Sequence, residues 1–361
     1  MYNLVTGYIK DEDSRTPRVR TEHVNVSSWE EVERMAQATI RDVAKKAEVS
    51  VASVSRALNG HTNVRSELKE RVETAARELG YFPHAGARSL SMARAHAIGV
   101  MLPDLHGEFF SEVVRGMDRE ASGRGLQLLL SNMHANPDQA AEALRTMRGR
   151  VDGLIVMAPD IDTDTLLQHM PATLPAVFIN CHGDAQGRAE LRVDNFAAAA
   201  EMVAHLVETG RRNIVHLSGS AGNREADERE RGYREAMRKA GLEPRVICGN
   251  FTETGGAEAA AAIIEDQKPT DAVFAANDMM AIGAMVAFRD AGIGVPQQIA
   301  VAGFDDVPLA RLISPGLTTM RVNIADIGAR ALARLADMID GRDDSEVECL
   351  RPELIVRQTT S

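Results

Sequence analysis

Arg56 stands alone among small residues in "VSVASVSRALNG" (49–60). A guanidinium is a planar fork of donors that matches the O6 and N7 acceptors of guanine, a pairing worth about 1–3 kcal/mol of base discrimination. Neighbours of low bulk would let a helix carrying that fork enter a major groove, where Val51 or Ala52 can touch a thymine methyl. Ser50, Ser53, Ser55 and Asn59 supply neutral donors for phosphate oxygens, which set register without reading sequence. The same spacing also fits a helical hairpin with a solvated face. A second set of polar groups lies at the ends of apolar runs. Asn180 closes "VFIN", Asn277 and Asp278 close "VFAAND", Asp305 and Asp306 close "VAGFDD", and Arg229 begins the helix of "RERGYREAM". Singly, each reads as a helix cap or solvated loop residue. Together they form a polar set where the sheets of α/β folds bind ligands, beyond the carboxyl ends of their strands.

The elements that must hold these groups differ between the two ends of the chain. Thr39 precedes Ile40, Val43, Ala44 and Ala47 at helical spacing, with Asp42 in the first turn, predicting a capped amphipathic helix. Glu48-Val49 break it. Ser50 then caps a second helix with an inward stripe of Val54, Ala57 and Leu58, ended by Asn59-Gly60. A third begins near Arg65 or Ser66, buries Leu68, Val72, Ala75, Ala76 and Leu79, and stops at Gly80. Two short helices joined by a tight turn and braced by a third make a helix-turn-helix unit. From residue 97 onward the pattern changes: "AIGVMLP", "LQLLLS", "DGLIVMAP" and "PAVFIN" alternate with helices, the first two near 109–123 and 136–149. "NIVHLSG", "RVICG", "DAVFAAN" and "IAVAGFDD" form a second series. Two such series imply two lobes with parallel sheets.

Charge divides the chain in the same place. Residues 38–96 hold ten Lys or Arg against six Asp or Glu, an excess of four positive charges, whereas the whole chain carries −11. The remainder therefore bears −15. A small basic module on a large acidic body suits a chain that meets a polyanion at one end only. At 361 residues, with 44% hydrophobic and 26% charged residues, two or three compact units are expected. No run approaches a membrane span and the first residues lack a signal-peptide core, so a cytoplasmic location is expected, nucleoid-associated where the basic module meets DNA. Cys181, Cys248 and Cys349 are far apart and read as reduced, scattered thiols.

"ATIRDVAKKAEVSVASVSRALNG" resembles the N-terminal motif of the lactose-repressor (LacI/GalR) family of bacterial transcription regulators, through its T-I-x-D-V-A, V-S and V-S-R-x-L-N anchors. Glu48 departs from the Gly or Asn usual in the turn, and Ser53 replaces Thr with the hydroxyl kept. "YFPHAGARSLSMARAHAIGV" resembles the family's hinge segment. The resemblance implies a short helix that orders on DNA in the minor groove, with Leu90 at the position that prises a base step apart and Ala87 beside it. Resemblance continues through "RVDN", "RxxGY", "AANDMMAIGA", "VAGFDD" and "LTTMR" to about residue 357. It implies a periplasmic-binding-protein-like type I body whose chain crosses between lobes near 193, near 322 and close to the end.

The organisation expected is therefore an extension or mis-assigned start at 1–37, a helix-turn-helix domain at 38–83, a hinge helix and linker at 84–96, and an effector-binding and dimerisation body at 97–361. Lobe 1 is expected over about 97–193 and 324–345, lobe 2 over about 194–323 and 346–361. Carried over by position, Arg229, Asn277 and Asp305 match polar ligand contacts of the family, Asn180 stands where many members have a polar residue, and Phe251 stands where an aromatic often stacks on the effector. Phe110, after the first strand, can line the same cleft. Such a set suits a sugar, whose hydroxyls need paired donors and acceptors and whose C–H faces need apolar cover. Val322 and "GEFF" (107–110) depart from the family near that cleft.

Catalytic groupings do not hold together. Ser220 in "LSGSAG" lacks the glycine two residues earlier that a nucleophile elbow requires, and neither H-E-x-x-H nor a phosphate-cradling G-x-x-x-x-G-K is present. "GRGLQL" precedes a strand where a dinucleotide fingerprint would follow one. A sugar-binding transport component would explain the body but not the basic module. The expectation is a non-enzymatic regulator with no cofactor and no metal, most simply a repressor. It binds double-stranded, pseudo-palindromic operator DNA as a homodimer and answers allosterically to a small-molecule effector.

Overall fold

The computed structural model describes residues 38–59, 64–81, 94–181, 183 and 185–361. The chain divides into two units, residues 1–92 and 93–361. The expected extension at 1–37 and the hinge residues Ala87 and Leu90 lie outside the described residues.

In the first unit, α1 (Ile40–Lys46), α2 (Val51–Leu58) and α3 (Ser66–Glu78) enclose Val43, Ala44, Ala47, Val54, Ala57, Val72, Ala75 and Ala76. α1 starts at a capping box: Thr39 Oγ accepts from the Asp42 amide, and the Asp42 carboxylate accepts from the Thr39 amide at 2.8 Å. Ser50 caps α2, its Oγ accepting from the Ser53 amide at 3.1 Å. Between the two helices Glu48 adopts φ +52°, the left-handed conformation that favours glycine. The departure noted at that position is therefore a strained turn.

The second unit holds two six-stranded sheets. The first uses β1 (Ala97–Leu102), β2 (Gln127–Asn132), β3 (Gly153–Met157), β4 (Ala176–Ile179), β5 (Ala189–Val193) and β11 (Val347–Leu350), in the order β11-β5-β4-β3-β1-β2. All its pairs are parallel. The second uses β6 (Ile214–Ser218), β7 (Arg245–Cys248), β8 (Ala272–Ala275), β9 (Ala300–Asp305), β10 (Thr318–Arg321) and β12 (Glu353–Ile355), ordered β12-β10-β9-β8-β6-β7. Only β12 runs antiparallel to its neighbour. Central strands such as β1 and β8 are buried throughout, which is why their runs are continuously apolar.

Helices cover these sheets: α4 (Glu108–Arg124), α5 (Pro137–Met147), α6 (Thr163–Leu167) and α11 (Ile324–Ile339) in lobe 1, and α7 (Asn195–Glu208), α8 (Arg224–Lys239), α9 (Glu253–Asp266) and α10 (Asp278–Asp290) in lobe 2. Two helix pairs approach through reciprocal glycines. A Cβ on Gly116 would lie 1.8 Å from the Ala325 carbonyl oxygen, and one on Gly328 would lie 2.1 Å from that of Val113, which closes α4 onto α11. Gly256 and Gly283 do the same for α9 and α10.

One expected boundary is corrected. Lobe 2 was to resume at residue 346, but β11 pairs in parallel with β5, Val347 opposite Glu190 and Leu350 opposite Val193, so the last crossing follows Leu350. β11 is an edge strand of alternating exposure, and four such residues carry too little apolar signal to mark which sheet they join. β5, β10 and β12 likewise lie outside the apolar runs read as strands.

Candidate functional site

Two sites can be built, one in each unit. In α2 the inward stripe buries Val54 and Ala57. Val51, Ala52 and Arg56 are exposed and Ser53, Ser55 and Asn59 half-buried. Arg56 Nε donates to the Ala52 carbonyl at 3.3 Å, an exposed contact that a guanine edge could replace at little cost. Several of the expected phosphate donors already hold local bonds: Ser50 and Ser53 hydroxyls share a bond of 2.9 Å, and Asn59 Nδ2 donates to Ser55 Oγ at 3.3 Å. The Thr39 hydroxyl donates to Asp42 at 2.6 Å, so capping α1 occupies it.

In the second unit a cleft of about 300 Å³ opens between the lobes. Phe110, Arg229, Phe251, Asn277 and Asp305 all line it. Each reaches it from the end of a strand or the start of a helix. Phe110 lies in the first turn of α4, Asp305 ends β9, Asn277 caps α10, and Phe251 follows β7. Arg229 sits in the second turn of α8, which begins at Arg224, so it does not open that helix. Asn180 is not at the cleft wall. Its Nδ2 donates to Glu225 Oε1 at 2.9 Å and its Oδ1 accepts from the Val193 amide at 2.8 Å, so it braces Glu225 from behind.

The polar lining is anchored within the protein. Arg229 is buried, and its Nε donates to Asn195 Oδ1 at 2.8 Å and its Nη1 to the Ala276 carbonyl at 2.5 Å. Its Nη2 lies 3.4 Å from Glu225 Oε1 and 3.7 Å from Asp305 Oδ1. The guanidinium also stands 3.8 Å over the Phe304 ring. Asn277 spends both ends locally: Oδ1 accepts from the Met280 amide at 3.0 Å, and Nδ2 donates to the Phe251 carbonyl at 2.9 Å. That second bond holds Phe251 at φ +65°, a left-handed conformation a phenylalanine rarely adopts. Gly219 lies under the ring, where any Cβ would come within 2.1 Å of it.

Carboxyl groups dominate the charge. Burial raises Asp305 to about 7, with Arg229 opposing the shift and Glu225 adding to it. Burial likewise raises Asp160 and Glu225, and pushes Asp278, against Thr319 and the Val307 amide, well above the carboxylate range. Asp160, Glu225, Phe109 and His134 also line the cleft and escaped the sequence reading. Asp160 was findable, since it follows "LIVM" by the strand-end rule that gave Asn180. Glu225 was findable too, one helical turn before Arg229. Among the described residues no helix is long and apolar enough to cross a membrane, and no group of His, Cys, Asp and Glu could hold a metal ion.

Comparison with known proteins agrees with this two-site arrangement. Residues 39–84 match the bacterial regulatory proteins of the lacI family, and residues 203–360 match the periplasmic binding protein-like domain. The chain is 32% identical over 329 residues to catabolite control protein A of Priestia megaterium, covering 89% of this chain and 99% of that one. It is 34% identical over 302 residues to the ribose operon repressor of Escherichia coli K12, covering 82% and 91%. Among solved structures, the lac repressor dimer bound to operator and the anti-inducer ONPF is similar with a TM-score of 0.81 at 26% identity, covering 90% of this chain and 99% of that one. A helix-turn-helix unit and a two-lobed body, matched along nearly the whole length of such relatives, make this chain a member of the lacI family of bacterial regulatory proteins.

Proposed function

We propose that the chain is a cytoplasmic, non-enzymatic transcriptional repressor that binds a pseudo-palindromic operator as a homodimer and changes its DNA affinity when a sugar enters the cleft. The exposed face of α2 carries the reading: one guanidinium flanked by Val51, Ala52 and small hydroxyl residues. Arg56 forks onto a guanine, Val51 and Ala52 meet base methyls, Ser50, Ser53, Ser55 and Asn59 contact phosphates, and Thr39 sets α1 at the DNA by capping it. Ala87 and Leu90 enter the minor groove at the centre of the site. Two-fold symmetry of the dimer requires inverted half-sites.

In the cleft, Phe110 and Phe251 cover C–H faces, and Asp305 and Arg229 meet hydroxyls. Asn277 acts by holding Phe251, and Asn180 by holding Glu225. Similarity to the cellobiose-complexed regulator CelR and to the ribose operon repressor supports a saccharide here. Oligonucleotide selection from random duplexes, with and without a saccharide panel, tests the proposal. Enrichment of an inverted repeat is expected. Recovery of no repeated motif under any condition would refute it.

A further inference from the structure

The acceptors and donors of the cleft are unequal in number. Among the described residues, Asp104, Asp160, Glu225 and Asp305 line it against a single guanidinium, Arg229. Arg229 spends its donors on Asn195, Ala276 and Glu225, and Asn277 donates to Phe251. Asn223 donates to Asp160 at 2.9 Å. By contrast, Asp305 is 4% exposed, and its Oδ1 accepts no hydrogen bond, the Arg229 nitrogen at 3.7 Å being beyond reach for one.

The charges behind the wall do not neutralise this excess. Arg224 pairs with Glu228 at 3.4 Å, while Arg321 and Arg357 both pair with Asp306, at 2.7 and 2.6 Å. A buried acceptor without a partner, set among carboxyl groups that no neighbouring cation but Arg229 helps to ionise, calls for a ligand that brings donors and positive charge.

We infer that the effector is an amine-bearing saccharide whose ammonium group sits against Asp305 beside Glu225 and Asp160. This rests on the reading of the cleft as a sugar site and adds the charge of the ligand. A neutral sugar could bond the orphaned oxygen but would bring no counter-charge to the carboxyl groups around it, and a phosphorylated or acidic sugar would be disfavoured beside them. Phe110 and Phe251 suit the same group twice, covering ring C–H faces and favouring a nearby cation.

Calorimetric titration of the full chain in an amine-free buffer at pH 7.5 tests this with matched probes: glucosamine and galactosamine, their N-acetyl forms, glucose, galactose, glucose 6-phosphate, and spermidine as an amine without a sugar. At least one free amino sugar is expected to bind ten-fold or more tighter than both its N-acetyl and its hydroxyl counterpart. In Asp305→Asn that preference should shrink. Equal or tighter binding of the N-acetyl or neutral member, or tightest binding of the phosphate, overturns the inference and leaves the sugar reading standing. Binding of spermidine with no saccharide overturns the sugar reading, and binding of no probe overturns both.

Discussion

Asp305 ends β9 at φ +108° with its carboxyl buried beside Arg229, Glu225 and Asp278, and its proton affinity has a measurable consequence. Its folded-state pKa of about 7 lies above the ordinary 3.8, so the folded chain holds a proton there that the unfolded chain has released. The associated stability is complete below the ordinary value and is lost as pH rises through 7. Asp305→Asn keeps the shape and removes the charge. It should raise the melting temperature of the ligand-free body by roughly 2–6 °C at pH 8 and leave it nearly unchanged at pH 4. An equal change at both values would show that the carboxyl is ionised without penalty. At the other site, Arg56→Ala should lose about 1–3 kcal/mol on the selected operator, with far less effect on random duplex. Fluorescence anisotropy titrations on both DNAs check this, and parallel losses would make Arg56 a phosphate contact.

At the scale of elements, strain and close packing mark two positions. Glu48 holds the turn between α1 and α2 at φ +52°. A left-handed conformation costs an L-residue about 1–2 kcal/mol, and the chain entropy that glycine adds to the unfolded state takes back roughly 0.5–1 kcal/mol. Glu48→Gly should therefore stabilise the first unit by about 0.5 kcal/mol, seen as a higher urea midpoint in far-ultraviolet circular dichroism; a lower midpoint would mean the glutamate side chain contributes more than the strain removes. Gly116→Ala has the opposite sign. Its Cβ would lie 1.8 Å from a backbone oxygen of α11, and neither helix has a flexible side chain at that point to yield. A loss of about 3 kcal/mol is expected, read as a lower thermal midpoint, whereas Gly123→Ala on the same helix, with open space around it, should be tolerated.

For the whole molecule, the body is two sheets joined by three chain crossings, after β5, after β10 and after β11. A ligand between the lobes can change their relation only through those crossings, and Asp305 and Asp306 lie beside one of them. The Asp305 carbonyl accepts from the Val322 amide, and Asp306 binds Arg321 and Arg357. An effector coupled to DNA binding by about 1–3 kcal/mol shifts operator affinity some 5- to 150-fold. Asp305→Ala should reduce that shift below two-fold while operator affinity without effector changes little, measured by gel-shift titration with the saccharide found to bind. A preserved shift would place the coupling contact elsewhere in the cleft.

Local pattern alone determined the three N-terminal helices, the eight apolar strands of the two series and the polar set at their ends. Apolar periodicity, capping residues and strand-end position are properties of neighbouring residues. That is why the positions of Ser50, Asn277 and Asp305 are legible in the sequence alone. The tertiary structure decided what no neighbour encodes: that the edge strand at 347–350 joins the first sheet, that Asn180 faces the back of Glu225, and that Asn277 spends both its polar atoms on the protein. It also decided the balance of charge in the cleft. Asp160 belongs to lobe 1 and Glu225 and Asp305 to lobe 2, so the three line one cleft only when the lobes come together. Burial and hydrogen bonding are sums over everything near in space, and those sums exist only once the chain has folded.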